Sequence, residues 1–320
     1  MRKITKLWLV IAAFLVAVGL IMFAAVMAEY KWDFKELSTG NFETNTYEIS
    51  EEFSNLSINT DTADIMFALS DDEKCRVECY EEEKAKHSVT VQDNTLVVDM
   101  INKRFWYDYI GINFVSPKIT VYLPKSEYFS LFIKESTGNI ELPKDFNFVS
   151  VDISLSTGHV DFFASASELI KIKTSTGNIC VENAYAGALD LSTSTGGIKV
   201  SNVMCENYAN IDVSTGKTNL TDINCKNLKS NGSTGDIYLK NVIAQEKFSI
   251  TRNTGDVRFD GSDANEIFVE TDTGDVKGSL LTDKVFITHT GAGRVDVPKT
   301  VTGGKCQIKT DTGYIKINID

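Results

Sequence analysis

The sequence predicts an all-β fold, a β-solenoid (β-helix) of about ten 19–20-residue coils behind one amino-terminal transmembrane helix. First, a Thr-Gly pair recurs at intervals of 20, 19, 19, 20, 19, 20, 19, 17 and 22 residues, a regularity typical of repeat architectures. Second, apolar residues alternate with polar ones on both sides of each pair, as strands with one buried face require. Third, one run of 22 uncharged, mostly apolar residues precedes the repeats.

The glycine of each pair is the predicted corner of one coil, because glycine adopts positive φ without steric cost. A single coil buries too few side chains to offset its ordering entropy, so the coils must stack, at about 4.8 Å per step. The ten predicted corners are Gly138, Gly158, Gly177, Gly196, Gly216, Gly235, Gly255, Gly274, Gly291 and Gly313.

The apolar run, residues 7–28, predicts a membrane anchor. As a helix it would extend about 33 Å, enough to cross a bilayer core of about 30 Å. Basic residues precede it and acidic residues follow it, so residues 1–6 are predicted to be cytoplasmic and the carboxy-terminal domain extracellular. The alternative is a cleaved signal peptide, with Val26 and Ala28 forming a small-residue cleavage site.

The remaining chain divides into a linker at 29–40, a strand-rich cap region at 41–130 and the solenoid repeats at 131–320. Within the cap region, Thr62-Ala63-Asp64 stands where a Thr-Gly-Asp corner would be, so this stretch imitates a coil. The last segment, YIKINID, finishes a strand without an evident cap. Its open ladder groups are predicted to be covered by a loop or paired with another chain.

The net charge of −12 makes the chain acidic. Nucleic acid is disfavoured and is not predicted as a partner, because binding it requires clustered Lys and Arg to neutralise phosphates. Cations and basic or neutral polymers fit the charge better.

The sequence predicts no cofactor other than a candidate Ca²⁺ ion. The candidate site consists of Asp236, Asp256 and Asp275, which directly follow corner glycines, and of Asp272 nearby. Stacking would place the first three about 5 Å apart, where they repel unless a cation intervenes. The alternative is that they are ordinary turn residues, since Asn139, Asn178 and Lys217 occupy the same position in other coils.

Cys205 and Cys225 both lie nine residues after their glycines in adjacent coils. Their Cα atoms are therefore predicted to approach to about 5 Å, and the two are either a disulfide or a stacked thiol pair. The other four cysteines are Cys75, Cys79, Cys180 and Cys306, for which spacing suggests no bridge. Zinc is not predicted, because close-spaced Cys and His pairs are missing and His87, His159 and His289 are scattered along the sequence.

A second threonine often lies three residues before the corner glycine, at Thr174, Thr193, Thr271, Thr288 and Thr310. A flat Thr-x-Thr array would resemble ice-binding solenoids. However, this position shares its parity with the apolar positions, so the hydroxyls are expected to bond corner backbone groups.

The segment NKRFWYDYIGINF, residues 102–114, interrupts the strand pattern with clustered aromatics and an arginine. These residue types are enriched in binding hot spots and sugar-stacking surfaces. If exposed, the segment is the predicted contact surface, and the alternative is burial under the cap. The candidate contact residues are Arg104, Phe105, Trp106, Tyr107 and Tyr109.

The repeated STG[ND]-I-x-[VL] pattern behind an apolar segment, introduced by ITVYLPKSEYFSLFIKESTGNI, resembles the bacterial "putative adhesin" family of β-strand repeats over about residues 41–320. The resemblance implies a surface-exposed, β-helical and non-catalytic domain, often linked with envelope stress. It supplies no binding residues to transfer.

The leading predicted function is therefore a structural or adhesive interaction module at the bacterial cell envelope, contacting an envelope polymer or a protein partner. Two alternatives remain open. A glycan-acting β-helix enzyme would need acids and arginines converging in one cleft, although the fold alone does not confer activity. A sensory ectodomain of an envelope-stress system would need a partner subunit, because the cytoplasmic tail is too short to signal.

Overall fold

The computed structural model describes residues 3–33, 40–106 and 115–320. It contains one helix, α1 (Lys3–Glu29), and is otherwise built of strands. By length and composition, Thr5–Glu29 is apolar enough to cross a membrane, with a mean hydropathy of 3.0. The predicted fold class, a β-solenoid behind one apolar helix, is confirmed.

In the regular coils the stacking order of the strands follows the sequence order, whereas at each end of the stack the chain folds back. The cap region contains β1 (Phe42–Ile49), β2 (Asn55–Thr62), β3 (Asp64–Leu69), β4 (Cys75–Glu82), β5 (Ala85–Gln92), β6 (Thr95–Asn102) and β7 (Lys118–Leu123). The regular coils contain β8 (Glu127–Thr137), β9 (Ile140–Leu142), β10 (Asn147–Thr157), β11 (Val160–Phe162), β12 (Ser165–Thr176), β13 (Ile179–Thr195), β14 (Ile198–Cys205), β15 (Tyr208–Thr215), β16 (Thr218–Thr234), β17 (Ile237–Thr254), β18 (Val257–Thr273) and β19 (Val276–Leu280). The last four are β20 (Lys284–Ala292), β21 (Val295–Asp296), β22 (Gly304–Thr312) and β23 (Ile315–Ile319).

The regular coils stack in parallel and in register, so equivalent apolar residues form columns inside the rod. Leu220, Leu239 and Phe259 are successive members of one such column. All three are buried. Each coil therefore covers the apolar face of its neighbour, as the periodicity predicts.

The corner requires glycine because the neighbouring coil leaves no room for a side chain. The Gly196 N–H donates to the carbonyl of Thr215 in the next coil at 2.9 Å. A Cβ on Gly196 would lie 2.0 Å from the carbonyl oxygen of Gly177, and its φ is +142°. Close backbone contact and positive φ thus act together at this position.

Five consecutive coils, those of Gly177 to Gly255, also turn a second time, six residues after the glycine, at a position that the glycine spacing does not reveal. The residues there are in the left-handed region, with φ of 55° at Asn183, 52° at Asn202, 53° at Asp222, 50° at Asn241 and 58° at Gly261. Asn, Asp and Gly are the residues that tolerate this conformation. Asn202 donates to the Asn183 side chain at 2.8 Å, and Asn241 to that of Asp222 at 2.9 Å.

The prediction that Gly291 forms a corner is wrong. Ala292 pairs with Thr312, and the Gly313 N–H donates to the Ala292 carbonyl at 3.0 Å. The corner is therefore Gly293, where a Cβ would lie 1.9 Å from the Gly313 carbonyl oxygen. With Gly293 as the marker, the irregular intervals of 17 and 22 residues become 19 and 20.

The last coil in the sequence is not the last coil in space. Strand β22 pairs with β18 on one side and β20 on the other, and β23 lies likewise between β19 and β21. YIKINID is therefore covered neither by a loop nor by another chain, the two predicted outcomes, but is enclosed between β19 and β21 of the same chain. The open edge belongs to β20 and β21, where Ile287 is 50% and Val295 42% exposed.

The cap region closes the other end. The coil-like stretch around Ala63 stacks directly on the first regular coil, since the Ala63 N–H donates to the Thr137 carbonyl at 3.1 Å. Strands β6 and β7 add one further parallel layer beyond it. Strands β4 and β5 then pair antiparallel to this layer, and β1 covers β4.

Candidate interaction surface

The aromatic segment emerges where the cap layer would otherwise turn a corner. It joins β6 to β7 in place of a short glycine turn, and it returns beside the imitated corner, where the Asp64 N–H donates to the Pro117 carbonyl at 2.9 Å. Its beginning is held by the Lys103 N–H, which donates to the Lys84 carbonyl at 2.8 Å. The two described ends of this connection therefore lie beside the corner column at the cap end of the rod.

The structure places the first aromatics of this segment on the surface. Phe105 is 63% and Trp106 76% exposed, and neighbouring Ile101 is 45% exposed. Burial under the cap, the alternative reading, does not hold for these two rings. Tyr107 and Tyr109 lie outside the described residues.

Arg104 is the exception, because it belongs to the support of the surface. Its guanidinium lies 3.5 Å from Glu82 of β4, and both side chains are largely buried. It also lines a cavity of about 230 Å³ beside Met100 and His87. Arg104 thus ties the start of the aromatic segment to the cap.

The carboxylates of three of the aspartates predicted to bind calcium accept hydrogen bonds from backbone N–H groups of the neighbouring coil. Asp236 accepts from the Asp256 N–H, and Asp256 from the Asp275 N–H, each at 2.9 Å. Lys277 lies 2.5 Å from Asp275 and lowers the pKa of that carboxyl. Asp272 is exposed. In the described part of the chain, no group of three metal-ligand side chains converges here.

Cys205 and Cys225 are the stacked thiol pair, and the disulfide alternative is not what the structure shows. Both thiols are free and buried. The Cys205 thiol donates to the Tyr208 carbonyl at 3.0 Å. Burial raises the pKa of the Cys225 thiol to about 12, so it is protonated at neutral pH.

The threonines three residues before the corners point inward, which confirms their predicted role. Thr193 donates to the Gly177 carbonyl of the preceding coil at 3.0 Å. In the Gly293 coil this role passes from Thr288 to Thr290, which donates to the Gly313 carbonyl at 2.9 Å. The same contact is made by Thr174, Thr271 and Thr310.

Arg252 occupies the same inward column and was missed by the sequence analysis. It is 2% exposed and donates to Ser230 at 2.9 Å and to Thr218 at 3.2 Å. Burial lowers its pKa to about 10. The glycine at position 232 makes room, because a Cβ there would lie 2.8 Å from the Arg252 Nη1.

Several solved structures are similar to this chain at low sequence identity. A putative lipid binding protein from Parabacteroides distasonis ATCC 8503 is 15% identical, with 88% of this chain and 98% of that chain covered and a TM-score of 0.48. A putative adhesin from Bacteroides fragilis NCTC 9343 is 17% identical, with 87% and 97% covered and a TM-score of 0.41. A putative adhesin from Parabacteroides merdae ATCC 43184 is 15% identical, with 88% and 98% covered and a TM-score of 0.48.

No curated protein matches the chain. The profile of the Toastrack DUF4097 family matches residues 53–210 and 207–320. These two stretches contain the strands from β2 to β23 and all the corner glycines. The chain therefore belongs to the Toastrack DUF4097 family.

Proposed function

We propose that the protein is a non-catalytic interaction module at the bacterial cell envelope, anchored by α1 with its solenoid outside the cell. The observation that carries the proposal is the exposed pair Phe105 and Trp106, held on the rod by the Arg104–Glu82 contact. The partner is an envelope polymer or an envelope protein.

The connectivity supports an orientation for the rod. After α1, the first strand of the solenoid is β1, an edge strand of the cap that pairs with β4. With α1 in the membrane, the cap end lies nearest the membrane and the coil of β20 and β21 farthest from it. The aromatic surface at the cap end then faces components close to the membrane.

The chemistry of the surface supports a polymer or protein partner. Binding a partner removes the apolar surface of exposed aromatic rings from water. Tryptophan is also among the residues that contribute most binding energy in interfaces. The acidic chain disfavours phosphate-rich partners. An aromatic platform beside a negatively charged rod is suited to stacking on sugar rings or apolar protein side chains.

The test compares partners recovered from crosslinked envelopes by the tagged full-length protein and by the Phe105→Ala/Trp106→Ala variant. We expect recovery of the specific partner to fall at least about ten-fold in the variant. The matched control is Phe129→Ala, which removes a 60% exposed ring from β8, away from the aromatic segment. Equal recovery by the wild type and the double variant would refute the proposed contact surface.

A further inference from the structure

The cap contains a buried cluster of three side chains that can ligate a metal. Cys79 and Glu81 lie two residues apart on β4 and share its inward face, and His87 follows on β5. Their ligand atoms all lie within 4.8 Å of one another, and all three residues are buried. Zinc is not predicted from the sequence, because the Cys and His residues are scattered along it, but the β4–β5 hairpin brings these three residues together.

Neighbouring side chains hold His87 and Glu81 in place by hydrogen bonds, as residues around the ligands of a metal site do. His87 Nδ1 lies 2.6 Å from Glu81 Oε2, and its Nε2 lies 2.8 Å from the Thr60 hydroxyl. A metal bound to Nδ1 would leave the Nε2–H to donate to Thr60, which fixes the tautomer and the ring orientation. The second carboxylate oxygen of Glu81 accepts from Asn45 at 2.7 Å.

The charge of the cluster selects the kind of ion. A thiolate, a carboxylate and a neutral imidazole carry two negative charges, which a divalent cation neutralises inside the cap. The sulfur ligand disfavours Ca²⁺ and Mg²⁺, which take oxygen ligands, whereas Zn²⁺ accepts sulfur, nitrogen and oxygen together. A cysteine ligates as the thiolate, so the ion must displace the Cys79 thiol proton when it binds.

We propose that Cys79, Glu81 and His87 bind one Zn²⁺ and that the ion clamps the β4–β5 hairpin over the end of the solenoid. His87 also lines the cavity of about 230 Å³ that Arg104 borders. Of the three proposed ligands, only His87 borders this cavity, and a water would complete four-coordination of the ion. The ion thereby stiffens the cap that carries Phe105 and Trp106.

The test titrates Co²⁺, as a spectroscopic substitute for Zn²⁺, into the full-length protein in detergent after reduction and removal of metals. We expect one Co²⁺ per chain, a thiolate-to-cobalt charge-transfer band in the near ultraviolet, and loss of the band when Zn²⁺ is added. Native mass spectrometry of the wild type counts bound Zn²⁺ independently of any variant. Failure of the wild type to bind either ion would overturn the proposal.

Three variants assign the ligands. Cys79→Ser is expected to abolish the charge-transfer band, whereas Cys75→Ser, on the same face of the same strand but outside the cluster, should keep it. Thr60→Val should weaken Co²⁺ binding about 10–100-fold through loss of the outer hydrogen bond. A band that survives Cys79→Ser, or that Cys75→Ser removes, would also overturn the assignment.

Discussion

Replacing Gly196 with alanine is expected to lower the free energy of unfolding by about 2–6 kcal/mol. The new Cβ would lie 2.0 Å from the carbonyl oxygen of Gly177, at a φ of +142° that alanine rarely adopts. Relieving the clash requires two coils to move apart, which weakens the ladder bonds and the column contacts between them. Urea denaturation of the full-length protein in detergent, followed by circular dichroism, measures the loss.

The next residue in the chain provides the control. A Cβ on Gly197 would have its nearest contact at 3.2 Å, from the carbonyl oxygen of Lys217, and the φ of Gly197 is not in the positive region. Gly197→Ala should therefore change the free energy of unfolding by at most about 1 kcal/mol. Similar effects of the two substitutions would show that the corners are not closely stacked.

The second large effect is expected from Lys284→Met, at about 3–5 kcal/mol of lost stability. Lys284 Nζ lies 2.6 Å from Asp263, and the two side chains are only 3% and 9% exposed. The pair joins β20 to β18 across the enclosed strand β22. Removing the ammonium leaves a buried carboxylate without its counter-charge, so the terminal coil should unfold at lower urea concentration.

Two comparisons separate this ion pair from an ordinary one. Lys309→Met breaks a pair with Glu270 that joins β22 to β18, but these side chains are 45% and 34% exposed, so its effect should stay below about 1 kcal/mol. The double variant Lys284→Met/Asp263→Leu should recover most of the loss, because an apolar pair replaces the buried charges. Equal destabilisation by Lys284→Met and Lys309→Met would contradict the enclosed position of the pair.

The sequence predicts the coils well because one physical requirement recurs in each of them. A carbonyl oxygen fills the place of the Cβ at Gly196 and at its equivalents, so glycine repeats at a readable period. The prediction of a corner at Gly291 fails for an identifiable reason. The Thr-Gly marker selects the first glycine of Gly291-Ala292-Gly293, although the register requires the second. The regular spacing identifies the correct glycine, because Gly293 gives intervals of 19 and 20 residues to its neighbouring corners.

The order of the coils at the carboxy-terminal end could not be predicted in the same way. Every coil presents the same alternation, so the alternation does not identify the neighbours of the coil of β22 and β23. In the observed order Lys284 pairs with Asp263, but neither residue carries a sequence signal that identifies its partner.

The candidate site depended on features that periodicity does not encode. Exposure of Phe105 and Trp106 follows from where the longer connection leaves the corner column, not from its composition. Cys79 and His87 meet because β4 and β5 form an antiparallel hairpin, an arrangement with no fixed sequence spacing between facing residues. Such contacts become visible only in three dimensions.

The stacked column of corners is tested most directly by distances between nitroxide labels on genetically encoded amino acids, measured by electron paramagnetic resonance. Labels at the exposed positions Ser156 and Ser233, Ser156 and Asp272, and Ser156 and Asp311 are separated by four, six and seven coils. The distances should rise linearly to about 19, 29 and 34 Å, at about 4.8 Å per coil. Distances that do not increase with coil number, or a value near 38 Å for the last pair as sequential stacking requires, would contradict this architecture.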